Sequence, residues 1–587
     1  MKRSNLYKSI TALFLLGSLL GYSQKKDENI GTEVVNVVKP YTATISDAFK
    51  VKETPSLNDD EITKKENVQY NIFSFPVAST FTPAKGKAAG VDKTKRDKLF
   101  SNYATLGFGN YGRVLGELFV TENISSTDYI GGMFRHHSSQ GGIKEVALDD
   151  NFYNTSLDLT YGSQQRDYNW NLDLGYQNQI YNWYGIDQTY FNQDAAFYAQ
   201  IDPDHTFHNA YLGGKIAFED SFFTGATMKF NRFWDDNGSA ENRFYVKPSF
   251  VVDINEFAIK TNVIVDYVAG SFDQDYFNNE GYKYGFTNFG LNPSVTLNQD
   301  DLSLNIGVSL FYSADLENND SKFFVYPNIS ASYKIVGDLM ILYAGAEGTL
   351  QQNSYREFTN ENPFLSPTLI VAPTDRPYDI FAGLKGKLAG NVSYNVRGSF
   401  MQEKGRALFR NNPFPNATTP DLEITAKGYQ FGNSFDVIYD DMRTVSFFGE
   451  LKADFSKNIS AGIQGTFSSF STSNELEAWN LPSITLNANL DLTITEKWYA
   501  GASLFFVGER KDQMIAPGVI DPAFYDFSTI TLKSYFDVNS HVGYKFNERL
   551  TFFLRMNNMF NQSYEKWMNY PAQQFQVVLG ANYKFDF

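Results

Sequence analysis

Runs of about ten residues in which apolar and polar side chains strictly alternate are the feature that most limits how this chain can fold. Along Asn391 to Phe400, Val392, Tyr394, Val396, Gly398 and Phe400 fall on one face and Ser393, Asn395, Arg397 and Ser399 on the other. Leu302, Leu304, Ile306, Val308 and Leu310 alternate with Ser303, Asn305, Gly307 and Ser309 in the same way. So do Ile484, Leu486, Ala488, Leu490 and Leu492 with Thr485, Asn487, Asn489 and Asp491. Successive side chains of a strand point to opposite faces, so each run is a strand with one greasy and one wet side. About ten residues is what a tilted strand needs to cross a bilayer. A soluble sandwich alternates too, but its strands are usually shorter and its apolar faces meet in one core.

The connections sharpen this reading. Tight turns fall at Asp253 to Glu256, Gln299 to Asp301, Gly337-Asp338, Ala389 to Asn391, Ser456 to Asn458, Thr495 to Lys497 and Asn547 to Arg549. Longer stretches alternate with them at His137 to Asn151, Gln179 to His205, Gly270 to Tyr282, Gln351 to Arg376, Glu403 to Gly432, Arg510 to Thr529 and Asn561 to Gln574. Short periplasmic turns and long outer loops are the signature of a bacterial outer-membrane barrel. Reading Ser434 to Phe455 as one long strand gives about twenty-two strands from Asn102 onward, an even number as such barrels require. The expected fold class is all-β: a transmembrane antiparallel β-barrel over 101–587, preceded by a short irregular periplasmic segment.

Composition narrows the function classes. With 66 acidic against 50 basic residues and a net charge of −16, the chain repels nucleic acid. It contains no cysteine, which removes disulfides, thiolate nucleophiles and thiolate metal sites. Beyond the first segment, no apolar run approaches the eighteen or so residues of a membrane helix. That first segment reads as an export signal over 1–23: Lys2 and Arg3, an apolar core from Ile10 to Leu20, then Gly21-Tyr22-Ser23 before Gln24.

Residues 24–100 read as a periplasmic or lumenal segment. They hold Pro40, Pro55, Pro76 and Pro83, an acidic stretch at Asp59 to Glu61, and a basic run of Lys85, Lys87, Lys93, Lys95, Arg96 and Lys98. Such composition favours extended polypeptide, and a charge run of this kind is most often a solvated face.

At the other end Phe575, Val577, Leu579, Ala581, Tyr583, Phe585 and Phe587 alternate without a break with Gln576, Val578, Gly580, Asn582, Lys584 and Asp586. A last strand ending on an aromatic is expected to close the barrel against the first and leave no edge in lipid, with Tyr583, Phe585 and Phe587 on the closing strand. It is also the kind of terminus that the barrel assembly machinery recognises. The residues Asn557-Asn558-Met559-Phe560-Asn561, Tyr564-Glu565, Trp567, Asn569-Tyr570-Pro571, Leu579-Gly580 and Tyr583-Lys584-Phe585 resemble the closing strands of TonB-dependent outer-membrane receptors, most of all receptor-like barrels of the Bacteroidota. The chain departs from the family in having Asn569 before Tyr570-Pro571 and Ala572-Gln573-Gln574 after it. The resemblance implies uptake of a nutrient or chelate, and it implies a TonB-type periplasmic energy transducer as partner. It also draws attention to Glu33, Val34, Val35, Val37 and Val38, a short β-prone stretch that is either an added-strand coupling segment or an ordinary patch in a leader. Members of the family carry a globular plug of well over a hundred residues, and the roughly seventy-seven residues after Gln24 are too few for a complete one.

Residues that bear chemistry are sparse. No Ser-His-Asp order or nucleophile elbow stands out, so an enzyme is not expected, and no cofactor is implied. Of the 5 histidines, only His541 sits well inside a crossing, with Asp537 too far along the strand to bond it directly. Asp202, Asp204, His205 and His208 could hold a metal or could simply be polar residues at a strand entry. The loop from Gln179 to His205 is unusually aromatic. Tyr181, Trp183, Tyr184, Tyr190 and Phe191 are candidates for contact with a ligand or partner protein, against self-packing of the loop or a place in an interfacial belt.

Two functions follow. One is a receptor-type transport barrel. The other is a non-transporting accessory or scaffold barrel, docking a surface lipoprotein or another outer-membrane protein within a larger complex.

Overall fold

A computed structural model describes residues 98–191, 193–255, 257–277, 280–414, 426–515 and 527–587. The expected export signal over 1–23, nearly all of the 24–100 segment and the Glu33 to Val38 stretch lie outside the described residues.

Twenty-two antiparallel strands form one sheet. They begin with β1 (Asn102–Gly109), β2 (Val114–Asn123), β3 (Asp128–Ser139), β4 (Phe152–Gln164), β5 (Tyr168–Asn182), β6 (Asp204–Phe218), β7 (Phe223–Asp235) and β8 (Ala240–Ile254). The sheet continues through β9 (Phe257–Phe272), β10 (Tyr282–Gln299), β11 (Leu302–Asp315), β12 (Asp320–Val336), β13 (Met340–Gln351), β14 (Thr374–Ala389), β15 (Val392–Asn411) and β16 (Phe435–Ser456). It ends with β17 (Ile459–Thr472), β18 (Ile484–Thr493), β19 (Trp498–Val507), β22 (Tyr535–Lys545), β23 (Leu550–Asn557) and β26 (Gln576–Phe585). Two small hairpins stand apart from it: β20 (Arg510–Ile515) with β21 (Phe527–Leu532), and β24 (Glu565–Trp567) with β25 (Tyr570–Pro571).

The sheet closes where expected. β1 pairs with β26 from Asn102 against Phe585 to Gly109 against Val578, so the circuit has no free edge. The long strand read over Ser434 to Phe455 is a single strand, β16. The alternation sorts as the sequence demands. Ile306, Phe467 and Leu579 stay 47%, 58% and 63% exposed on the outer wall, where no protein covers them. An apolar outer wall is stable in lipid and not in water. Polar partners face inward, where Arg397 pairs with Asp379 at 2.7 Å and Asp158 accepts bonds from Arg135 and from the Tyr211 hydroxyl, each at 2.7 Å.

Rings lying flat against the wall line the lumen. A Cβ on Gly175 would stand 2.0 Å from the Tyr211 ring, so only glycine lets that tyrosine lie along the neighbouring strand. All seven tight turns read from sequence fall at one end of the barrel and all seven long loops at the other. Three more turns (124–127, 165–167, 219–222) and four more loop-end connections (110–113, 236–239, 316–319, 473–483) complete the two sets.

Candidate functional site

At the turn end, bonds local in sequence suffice. Asn547 Oδ1 accepts from the main-chain N–H groups of Arg549 and Leu550 at 2.9 and 2.8 Å, and Asn255 and Asp300 adopt positive φ of 56° and 49°. The loop end is different, because its long connections fold inward and build a dry core.

The centre of that core is the segment 352–373 between β13 and β14. Ser354 caps a short helix, α2 (Tyr355–Glu361), by accepting from Glu357 N–H at 3.2 Å. The cap turns Tyr355 and Phe358 into the barrel, and Leu365, Leu369 and Val371 follow them. Tyr355 is fully buried. Its ring meets Phe233 of β7 at 5.1 Å, Phe272 of β9 at 5.0 Å and Phe207 of β6 at 6.3 Å. Across the mouth, Phe358 meets Phe409 of β15 at 6.0 Å, and Phe435 of β16 meets Trp567 at 5.4 Å. Phe364 stacks on Tyr570 at 3.7 Å. In a ring of 22 strands β6 and β16 are ten places apart, close to half the circuit. One apolar cluster touching both therefore bridges the mouth.

Several polar groups inside this core are paired, while the Trp567 indole N–H and the Tyr282 hydroxyl have no partner among the described residues. Glu241 accepts from the Tyr284 hydroxyl at 2.7 Å and from Tyr355 N–H at 2.6 Å. Asp235 accepts from the Tyr355 hydroxyl at 2.7 Å and lies 3.4 Å from His205 Nε2. Arg243 bridges Asp266 and Glu357, both at 2.7 Å. Side chains also tie loop to loop. Trp183 Nε1 donates to Leu365 O at 3.3 Å, Asn433 Nδ2 donates to Trp183 O at 2.6 Å, and the Tyr570 hydroxyl donates to Asn433 O. Arg510 donates to the carbonyls of Glu565 and Lys566. Asp512 of β20 accepts from Asn411 N–H at 3.1 Å, and burial pushes its carboxyl up to about 6. The arrangement is a lid: it holds bonds across the mouth.

Of the predicted aromatic residues, Trp183 and Tyr184 take part in this lid. Trp183 is buried with its ring 4.1 Å from His205, and Tyr184 meets Tyr570 at 4.8 Å. Tyr181 lies lower on the wall, stacked on Phe152 at 6.5 Å. Tyr190 and Phe191 belong to α1 (Gln188–Phe191), and their side chains are outside those described. The four residues read as a candidate metal cluster do not converge. His205 and His208 are an odd number of residues apart on β6 and so face opposite ways. His205 turns into the core, while His208 bonds Tyr176 on the outer wall at 2.8 Å and stacks on Trp234. Among the described residues no group of three or more His, Cys, Asp or Glu comes together. On the closing strand, Tyr583 pairs with Ala104 and Phe585 with Asn102, while Phe587 stays exposed. Asp537 is occupied by the Tyr564 hydroxyl at 2.9 Å and makes no direct bond to His541.

The central segment of the lid did not stand out in the sequence. Its signal was there: Tyr355, Phe358, Phe364, Leu365, Leu369, Ile370 and Val371 are too many apolar residues for a solvated loop.

No protein-family model matches the sequence, and no curated protein matches it. The structure does have solved counterparts. The FrpB iron transporter from Neisseria meningitidis aligns with a TM-score of 0.62 and 10% identity over 84% of this chain and 82% of that one. The ferripyoverdine receptor of the outer membrane of Pseudomonas aeruginosa, bound to ferripyoverdine, aligns at 0.57 and 11% identity over 84% and 72%. The copper transporter OprC aligns at 0.58 and 13% identity over 84% and 82%. At such identities the likeness is one of fold alone: a closed β-barrel.

Proposed function

We propose that this protein is a receptor-type barrel of the Gram-negative outer membrane that admits a nutrient or chelate, and that its own loops form the outer gate. The observation carrying this reading is the lid: a closed barrel with an apolar outside and a polar lumen has one mouth bridged by a bonded loop core. The fold it shares with iron and copper transporters and an outer-membrane receptor supports it, as does the resemblance of residues 557–585 to TonB-dependent receptors. On this reading outer-membrane lipids surround the wall and the barrel assembly machinery inserts it through the terminal aromatic strand. A TonB-type transducer pairs with Glu33 to Val38 as an added strand.

The same lid favours a second reading, in which the loops are a rigid platform for a surface lipoprotein or other outer-membrane protein and nothing passes. Growth on single limiting nutrients separates the two. Replacing Val34 and Val37 together with Pro removes main-chain donors that an added strand needs. Transport predicts that growth on at least one nutrient fails at normal surface expression. The scaffold predicts growth equal to wild type on all of them.

A further inference from the structure

At the loop end of the seam where the circuit closes, the lumenal wall carries positive charge that no acidic side chain among the described residues pairs. Arg113, in the connection between β1 and β2, is 9% exposed. Burial lowers its guanidinium to about 10. Among the described residues its Nε has no hydrogen-bond partner. Its Cζ lies 5.8 Å from the centroid of Phe152, and the His137 ring packs edge-on against the same phenylalanine at 5.2 Å. Arg555, exposed on the lumenal face of β23, rests on Phe553 at 4.9 Å. The ladder places Arg555 opposite Val578 of β26, and Val578 opposite Gly109 at the loop end of β1, four residues before Arg113. Glu117 of β2 lies opposite Arg135 in the register, and among the described residues no ion pair joins it to Arg113 or Arg555.

An Nε without a partner is shared by Arg397, Arg406 and Arg510, but several inward-facing arginines differ from Arg113 in holding an acid. Arg243 holds Asp266 and Glu357, Arg397 holds Asp379, and Arg376 and Arg406 share Glu403. A guanidinium taken out of water without an acid is costly to the fold, and a bound anion would relieve that cost. Its planar fork of donors matches a carboxylate or a phosphate.

We propose that Arg113, His137 and Arg555 form an anion site on the lumenal wall, receiving a carboxylate or phosphate group of a solute with Phe152 and Tyr181 as its apolar flank. The use of the site in passage rests on the transport reading; its binding chemistry does not. Calorimetric titration of the full chain in detergent at low ionic strength, with citrate and with inorganic phosphate as separate probes, tests it. Saturable binding is expected, weakened at least tenfold by Arg555→Gln and by Arg113→Gln, and unchanged in Arg397→Gln, whose arginine already holds Asp379. Arg555→Gln removes an exposed group, so it tests the site even if the Arg113 variant does not fold. Citrate binding alone identifies a carboxylate site, phosphate alone a phosphate site, and both a site for either. No saturable binding of either probe, or an equal loss in Arg397→Gln, overturns the proposal. Binding that persists while the growth assay shows no transport keeps the site and discards the transport reading.

Discussion

At the turn end of this barrel a connection such as Asp300 is held by its own φ and by its immediate neighbours. At the loop end a residue such as Tyr355 is held by rings of β6, β7 and β9 that lie 83 to 148 residues away in sequence. The contrast teaches that one end is built from local turn chemistry and the other from tertiary packing. The turn end should therefore tolerate substitution position by position, and the loop end should fail as a unit.

The sharpest way to break the comparison is Tyr355→Ala. Removing a fully buried ring and the hydroxyl that serves Asp235 should cost the lid about 3–5 kcal/mol. Limited proteolysis should then cleave within 352–373 while the barrel keeps its heat-modifiable migration on a gel. If the barrel unfolds together with the lid, the two ends are not separable.

Acidity probes the same lid more gently. Because Asp512 titrates near 6 when folded, above the ordinary carboxyl value of 3.8, its ionisation costs the lid stability above about pH 6. That cost should fade as pH falls from 7 through 6 toward 4, on the order of 3 kcal/mol across the range. Protection of residues 510–515, taken relative to the intrinsic exchange rate at each pH, should rise on acidification in the wild type, and Asp512→Asn should remove much of that rise. Protection that falls on acidification in both proteins would contradict the assignment.

The smallest effect is expected at the turn end. Asp300 sits at φ 49°, a conformation glycine adopts without strain, so Asp300→Gly should change barrel stability by less than about 1 kcal/mol. Thermal unfolding in detergent would measure it. A large loss there would mean that the turn, too, depends on contacts remote in sequence.

The wall was legible in the sequence because its rule is local. Each strand must hide its main chain from lipid in a ladder and show lipid an apolar face, so a period of two is written into Val392 to Phe400 and Leu302 to Leu310, and the positions of Tyr583 and Phe585 follow from it. The same rule, applied to His205 and His208, already separated them, which the reading of a metal cluster overlooked. What only the tertiary structure decided was the mouth. Trp183, Asn433, Leu365 and Tyr570 come from loops up to 387 residues apart, and nothing in their spacing announces that they meet. A strand's partner is its neighbour in the chain, whereas a loop's partner is whatever the closed circuit brings across the lumen.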